Sequence, residues 1–338
     1  MTKIAILGAG SWGTALAVVL TRTKKAHEIS LWAHDAARAE AMEGLRENTT
    51  YLSGISLPAA IRVTHEIPAA LENARLIIGA MPSVHAREVY SQALPFVTSE
   101  MVFVSATKGL EPSSHLRMSQ VLGQVLRQGS LAAVDQRIAV LSGPSFAAEA
   151  ARGEPTAVAL ASQDAALAAK LQEEFAGPTF RLYTNDDVLG VELAGAMKNV
   201  MAIAAGACQG LGLGSNPLAA LITRGLAEMT RLAVALGARP ETLSGLAGLG
   251  DLVLTCTGML SRNRHVGIEL GHGRKLDEIL SKMRMVAEGV ETTAPLLTLA
   301  REHQIDLPIT EQVDAILHQG KSPKDAIRDI MERPLKRE

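Results

Sequence analysis

Cysteine is nearly absent. Cys208 and Cys256 are the only two in 338 residues, and they make no CxxC pattern. That excludes a disulfide framework and fits a reducing compartment, the cytoplasm. Aromatics are also scarce, at 3% of the chain, and neither sign of charge dominates, with 33 basic against 35 acidic residues and a net charge of −2. Without a basic excess or stacking rings, nucleic acid and an anionic membrane surface are not expected partners. The nine histidines are scattered. No His/Cys/Asp/Glu group has metal spacing, so no metal is expected. There is no HExxH and no G-x-S-x-G, which leaves a nucleophilic hydrolase poorly supported. No internal repeat or low-complexity linker occurs.

Two stretches imitate membrane sequence. The first twenty residues resemble a signal peptide, but their glycines recur at fixed spacing and no cleavage site follows. Asn199–Thr223 carries no charge, yet Gly206, Gly210, Gly212, Gly214, Asn216 and Pro217 interrupt it. That pattern predicts two buried helices and no integral membrane segment. With 47% hydrophobic and 20% charged residues, the composition is that of a folded chain of one large or two ordinary domains.

The first half alternates short apolar runs with helical patterns. The runs are KIAILG (3–8), EISLWA (28–33), ARLIIGA (74–80), MVFVSAT (101–107), RIAVLSG (137–143), PTAVALAS (155–162) and FRLYT (180–184). Such runs suit strands covered on both faces, and the alternation implies βαβ units. After Thr184 only helical patterns follow, from Asp186–Gln209 through Pro217–Gly237, Ser261–Gly271, Leu276–Arg284, Thr292–His303 and Ile309–Gln319 to Pro323–Glu332, with a short one near Pro240. The expected fold is α/β plus all-α: a Rossmann-like, doubly wound, mostly parallel sheet over residues 1–186 and a helical domain over 187–338.

Gly8-Ala9-Gly10-Ser11-Trp12-Gly13 reads GxGxxG between the first strand and a helix. Gly8 permits the tight turn, Gly10 lets a pyrophosphate approach the backbone, and Gly13 lets helix and strand pack closely. The second run ends at His34 and Asp35, with Arg38 a turn on. Position predicts that His34, and Arg38 if it is not simply solvated, faces a 2′-phosphate. The expected cofactor is NADP(H) and/or NAD(H).

Further groups carry chemistry. Lys108 ends one strand run, and Gly143-Pro144-Ser145 follows another. Topology predicts that both open on the same sheet edge as Gly8, although Lys108 also reads as a solvated loop lysine. Lys198 is the only basic residue between Arg181 and Arg224, with Ala194, Gly195, Met201 and Ala202 at helical spacing. It reads either as a catalytic lysine, whose pKa desolvation would lower, or as one snorkelling from a half-buried helix. Asp251 sits in the small, apolar stretch GLGDLVLTC. Ser261-Arg262-Asn263-Arg264 reads as a phosphate-binding helix start or as a capped surface helix. Glu288 reads as a helix-start carboxylate.

GAGSWGTA (8–15), SGPSFAAE (142–149), ELAGAMKNVMAIAAG (192–206), AALITRGLAEM (219–229), GLGDLVLTC, SRNR (261–264) and AEGVETT (287–293) together resemble the bacterial NAD(P)-dependent glycerol-3-phosphate dehydrogenases. The likeness runs in order along the whole chain. It implies a helical domain of the 6-phosphogluconate dehydrogenase C-terminal type. It also implies a cytoplasmic homodimer that interconverts dihydroxyacetone phosphate and sn-glycerol 3-phosphate for glycerophospholipid synthesis. By the resemblance, Ser11, Trp12, His34, Ala147, Val286 and Glu288 touch the dinucleotide, as do Lys108 and Arg262, which also meet substrate. Gly143, Ser145, Asn199, Thr255, Ser261 and Asn263 contact substrate. Lys198 is the proton donor and acceptor, and Lys108 and Asp251 orient the pair. Asp251 holds either Lys198 or a substrate hydroxyl. The competing readings are a β-hydroxyacid or 6-phosphogluconate-type dehydrogenase, and a non-catalytic NAD(P) sensor.

Overall fold

The computed structural model describes residues 2–129, 134–335 and 337. Two compact units divide the chain. Met1–Glu111 and Leu116–Glu192 form the first, and Pro112–His115 with Leu193–Glu338 form the second.

The first unit is built on strands β1 (Thr2–Leu7), β2 (His27–Trp32), β3 (Glu47–Asn48), β4 (Leu52–Ser56), β5 (Ile61–Thr64), β6 (Leu76–Gly79), β7 (Val102–Ser105), β8 (Ile138–Ser142), β9 (Thr156–Ser162) and β10 (Phe180–Asn185). Eight of them form one sheet in the order β10-β9-β8-β7-β6-β1-β2-β5, and β3 pairs with β4 apart from it. Neighbours in the large sheet run parallel except β8 and β9. The C-terminal ends of β5, β2, β1, β6, β7 and β8 therefore share one edge.

Among the described residues, this unit also holds the α-helices α1 (Ser11–Leu20), α2 (Ala36–Leu45), α3 (Ile67–Leu71), α4 (Ala86–Ala93), α5 (Met118–Gln128), α6 (Ala147–Arg152) and α7 (Ala165–Phe175). Alternate residues of β1 enter two different cores: Ile4 and Ile6 pack with α1 and α7, while Ala5 and Leu7 pack with α4 and α5. Burial on both faces is why the strands read as unbroken apolar runs. The mostly parallel sheet expected from that pattern is present.

Helices α8 (Val188–Gly210), α9 (Ser215–Ala235), α10 (Pro240–Leu243), α11 (Asp251–Thr257), α12 (Arg262–Gly271), α13 (Leu276–Lys282), α14 (Glu288–Glu302), α15 (Pro308–His318) and α16 (Pro323–Met331) follow, and no strand occurs among the described residues after β10. The uncharged stretch splits into α8 and α9 at Leu211–Gly214, as its glycines predict. Helix α8 is long and apolar enough to cross a membrane by composition, yet 94% of that window is buried inside the fold, which marks it as a core helix.

Backbone contact between α8 and α12 organises the second unit. A Cβ on Gly206 would lie 2.0 Å from the Arg264 carbonyl oxygen, and one on Gly267 would lie 2.0 Å from that of Ile203. Only glycine permits that approach. It brings Asn199 on α8 against Asn263 on α12.

Some elements differ from the sequence reading. The short edge strand β5 and the β3–β4 pair were not anticipated. β5 alternates buried Ile61 and Val63 with exposed Arg62 and half-buried Thr64, and four positions are too few to display a period. Helix α11 was not anticipated either. It follows a π turn over Leu246–Gly250, where a Cβ on Gly248 would lie 1.9 Å from the Leu243 carbonyl oxygen. The glycines that conceal the helix from a propensity reading serve that close packing. Helix α14 begins at Glu288 rather than Thr292, in line with the reading of Glu288 as a helix-start carboxylate.

Candidate active site

The loop after β1 has the backbone a dinucleotide requires. Gly8 has φ 117, and a Cβ there would meet the Met81 nitrogen at 2.7 Å. A Cβ on Gly13 would lie 1.9 Å from the Gly8 carbonyl oxygen, whereas one on Gly10 would meet nothing within 4 Å. Turn and packing are thus filled by protein, and the face above Gly10 is open for phosphates at the start of α1. Trp12 follows, and its Nε1–H is buried with no acceptor among the described residues. These features fit the cofactor.

Lys108 and Ser145 meet beyond the ends of β7 and β8. The Lys108 Nζ donates to the Gly143 carbonyl at 2.9 Å and approaches Ser145 Oγ at 3.5 Å. Ser145 Oγ donates to the same carbonyl at 2.8 Å. Ala147 opens α6 just beyond. The parallel order of β1, β7 and β8 places this group on the sheet edge that carries Gly8.

His34 lies exposed just past β2, edge-on to Trp32 with ring centroids 6.0 Å apart. Asp35 caps α2, accepting the Arg38 backbone N–H at 2.7 Å. The Arg38 guanidinium stacks over Tyr51, 4.8 Å from its ring centre, and donates to its hydroxyl at 3.1 Å. Tyr51 escaped the sequence reading because nothing local links it to Arg38.

The second unit holds the other group. Lys198 and Asp251 are both buried, their side chains 8% and 2% exposed, with Nζ 2.9 Å from Oδ1. Lys198 Nζ also donates to Thr255 Oγ1 at 2.8 Å. Thr255 lies one turn beyond Asp251 on α11, and its hydroxyl donates to the Asp251 carbonyl at 2.6 Å. Asp251 therefore contacts the lysine directly, one of the two partners the sequence allowed it. The ammonium is also more than a desolvated lysine, because an opposite charge in contact with it favours the charged form. Cys256 lies beside this pair. Burial pushes its thiol up to about 12 against the opposing fields of Lys198 and Arg264, so it is no nucleophile at neutral pH.

A chain of amides runs beside the lysine. Asn263 Nδ2 donates to Asn199 Oδ1 at 2.9 Å, and the Gly289 N–H donates to Asn263 Oδ1 at 2.9 Å. Ser261 caps α12 by accepting the Arg264 N–H at 3.2 Å. Arg262 Nη1 donates to the Val286 carbonyl at 2.7 Å, and Glu288 attracts the same guanidinium. Lys198, Asn199, Asp251, Thr255, Ser261, Arg262, Asn263, Val286 and Glu288 are thus linked through neighbouring bonds, turns or charge within one unit. Lys108, Gly143 and Ser145 form a separate group in the other. Among the described residues no set of three metal-ligating side chains is present.

A Rossmann-type sheet with GxGxxG after β1, joined to helices that bury a lysine–aspartate pair, defines an NAD(P)-dependent oxidoreductase. The chain belongs to the NAD-dependent glycerol-3-phosphate dehydrogenase family. The profile of that family's N-terminus matches residues 3–168, and the profile of its C-terminus matches residues 187–328. The glycerol-3-phosphate dehydrogenase (NAD(P)+) of Koribacter versatilis is 53% identical over 335 residues, covering 99% of this chain and 98% of its own. The enzyme of the same name from Acidobacterium capsulatum is 54% identical over 338 residues, covering 99% of each chain. The crystal structure of glycerol-3-phosphate dehydrogenase from Coxiella burnetii superposes with a TM-score of 0.92 at 42% identity, covering 98% of this chain and 99% of that one.

Proposed function

We propose that this protein interconverts dihydroxyacetone phosphate and sn-glycerol 3-phosphate with NADP(H) or NAD(H), Lys198 giving and taking the proton. The observation that carries this is the buried Lys198–Asp251–Thr255 cluster in a chain of this family. The dinucleotide supplies or accepts a hydride. Hydride addition at C2 of the ketone puts negative charge on its oxygen. A buried ammonium opposite that oxygen stabilises the charge and then delivers a proton. In a dry site such a field is stronger than in water. Asp251 and Thr255 fix Nζ from two sides, so Lys198 need not reorganise during the step. The resulting amine regains its proton from solvent, with the Asp251 carboxylate favouring the charged form.

Arg262 has the fork geometry for the substrate phosphate, and Ser261, Asn263 and Asn199 lie around it. Anchoring the phosphate fixes the three-carbon body relative to Lys198. Lys108, Gly143 and Ser145 supply further substrate contacts, Lys108 bringing a positive charge. Ser11, Trp12, Ala147, Val286 and Glu288 meet the dinucleotide, with His34 at its 2′-phosphate. In this reading the protein works in the cytoplasm as a homodimer and supplies the glycerophospholipid backbone. Two free cysteines support the compartment, and exposed Leu249, Val253, Met259 and Leu260 support association.

The test is to mix protein with dihydroxyacetone phosphate and follow the reduced-nicotinamide absorbance with NADPH and with NADH. Rapid oxidation is expected. A folded protein that binds NADPH but oxidises none with this ketone would leave a β-hydroxyacid substrate or a sensor. His34→Ala should lower the NADPH/NADH rate ratio a few-fold, roughly the scale of one exposed ionic contact. An unchanged ratio removes His34 from the 2′-phosphate.

A further inference from the structure

Asn48 lies on β3, 39 residues beyond Ala9 of the glycine loop, and is fully buried. Its Nδ2 donates to the Ala9 carbonyl at 2.9 Å and to Thr14 Oγ1 at 2.8 Å. Its Oδ1 accepts the Tyr51 N–H at 3.1 Å. These three bonds determine which way the amide faces, because the flipped form would set Oδ1 against the Ala9 carbonyl oxygen.

The Ala9 carbonyl belongs to the same peptide unit as the Gly10 N–H. That unit is trans, and a trans peptide points its C=O and N–H in opposite directions. Holding the carbonyl inward on Asn48 therefore turns the Gly10 N–H outward. No acceptor among the described residues takes that N–H, and the space above Gly10 is open. A flip of this peptide would instead present a carbonyl oxygen to the phosphates. The flip would carry φ of Gly10 from −75 to positive values, which glycine tolerates, so it is easy unless something opposes it.

We infer that Asn48 is a positioning residue for cofactor binding: it latches the Ala9–Gly10 peptide in the orientation that offers its N–H to the pyrophosphate. Asn48 acts through the loop and touches no substrate. The inference rests on the dinucleotide reading above and adds a residue to it from outside the motif. Without the latch the loop spends time in a form that repels phosphate, so cofactor affinity falls while the chemistry of the bound complex is preserved.

The test compares wild type with Asn48→Ala, Asn48→Asp and Thr14→Val, using NADPH itself as the titrated ligand. Asn48→Ala should raise the NADPH Kd and KM roughly ten- to a hundredfold, the scale of one lost buried hydrogen bond. kcat at saturating NADPH and KM for dihydroxyacetone phosphate should stay within about twofold, the pattern of lost uniform binding. Thr14→Val removes the other Asn48 bond and leaves the latch, so its NADPH Kd should stay within about twofold at a comparable loss of Tm. Asn48→Asp should bind weakly when ionised and recover as pH falls and the carboxyl regains a donor, a dependence absent from wild type. If Asn48→Ala does not fold, the pH profile of Asn48→Asp carries the comparison. A wild-type Kd in Asn48→Ala, a flat profile in Asn48→Asp, or equal weakening in Thr14→Val overturns the latch. Wild type that binds neither NADPH nor NADH overturns the dinucleotide reading, and the latch with it; wild type that binds only NADH has the same variants titrated with NADH.

Discussion

Asp251→Asn is the most informative perturbation, because it removes a charge and leaves the shape. Asp251 Oδ1 is 2.9 Å from Lys198 Nζ, and both side chains are buried. At that separation and an effective dielectric constant of about 20, the attraction is roughly 6 kcal/mol. Desolvation of both ions offsets much of it. Breaking such a pair from one side therefore destabilises by about 3–5 kcal/mol, because one charge stays buried alone. Removing both charges is far milder. The assay is a double-mutant cycle of Asp251→Asn, Lys198→Met and the pair, read by urea denaturation and by kcat. Each single variant should lose about 3–5 kcal/mol of stability, and the double variant should recover most of the loss of a second change. Turnover should fall by about 10²–10⁴ in each single variant, the usual range for a general acid. The double variant should be no slower than Lys198→Met. Additive losses in stability, or near-normal turnover in a folded Asp251→Asn protein, would refute the reasoning.

Two more outcomes follow from the second unit. Glu228 is buried on α9 and accepts the backbone N–H groups of Ile309 and Thr310, both at 2.9 Å, which caps α15 from a distance. Burial pushes its carboxyl up to about 7 from 4.5, against those hydrogen bonds and the field of Arg231. The folded state thus holds a proton that the unfolded chain releases, so stability should fall as pH rises from about 4.5 to about 7. Glu228→Gln should remove that part of the slope in a series of Tm measurements across pH, and an unchanged slope would place the titration elsewhere. Gly267→Ala should force α8 and α12 apart, since its Cβ would sit 2.0 Å from the Ile203 carbonyl oxygen. A loss of about 1–3 kcal/mol or more is expected, together with a higher KM for dihydroxyacetone phosphate as Asn263 leaves Asn199. A variant with wild-type Tm and KM would show that the helices have slack there.

The strands were legible where both faces are covered. Ile77 and Ile78 on β6 and Val140 and Leu141 on β8 bury every position, and continuous apolarity survives in the sequence. β5 was not legible. It is held by pairing with β2, and four residues carry no period of their own. The GxGxxG loop was legible because its three glycines answer to local geometry. Asn48, which closes on that loop across 39 residues, leaves no local trace. The same contrast holds in the helical half. The isolation of Lys198 is visible in sequence, but its partner was ambiguous because GLGDLVLTC does not read as a helix. Once α11 is known to start at Asp251, the spacing of four puts Thr255 one turn above Asp251 on the same face.

The small residues around Lys198 answer to two demands at once. Gly206 and Gly267 let α8 and α12 touch backbone to backbone, which brings Asn199, Asn263 and the Gly289 N–H into one chain of hydrogen bonds. Ala194, Met201 and Ala202, all fully buried, keep water from the helix that carries the ammonium. A larger or polar residue at these sites would either open the crossing or solvate the lysine. Solvation would leave the Lys198–Asp251 pair intact as a contact but weaken its field on a developing oxyanion, because the same charges act through a higher dielectric. The isolation of Lys198 in the sequence is therefore the linear trace of a dry, closely packed crossing. A contact-preserving change that admits water, such as Ala202→Ser, would act on rate more than on stability.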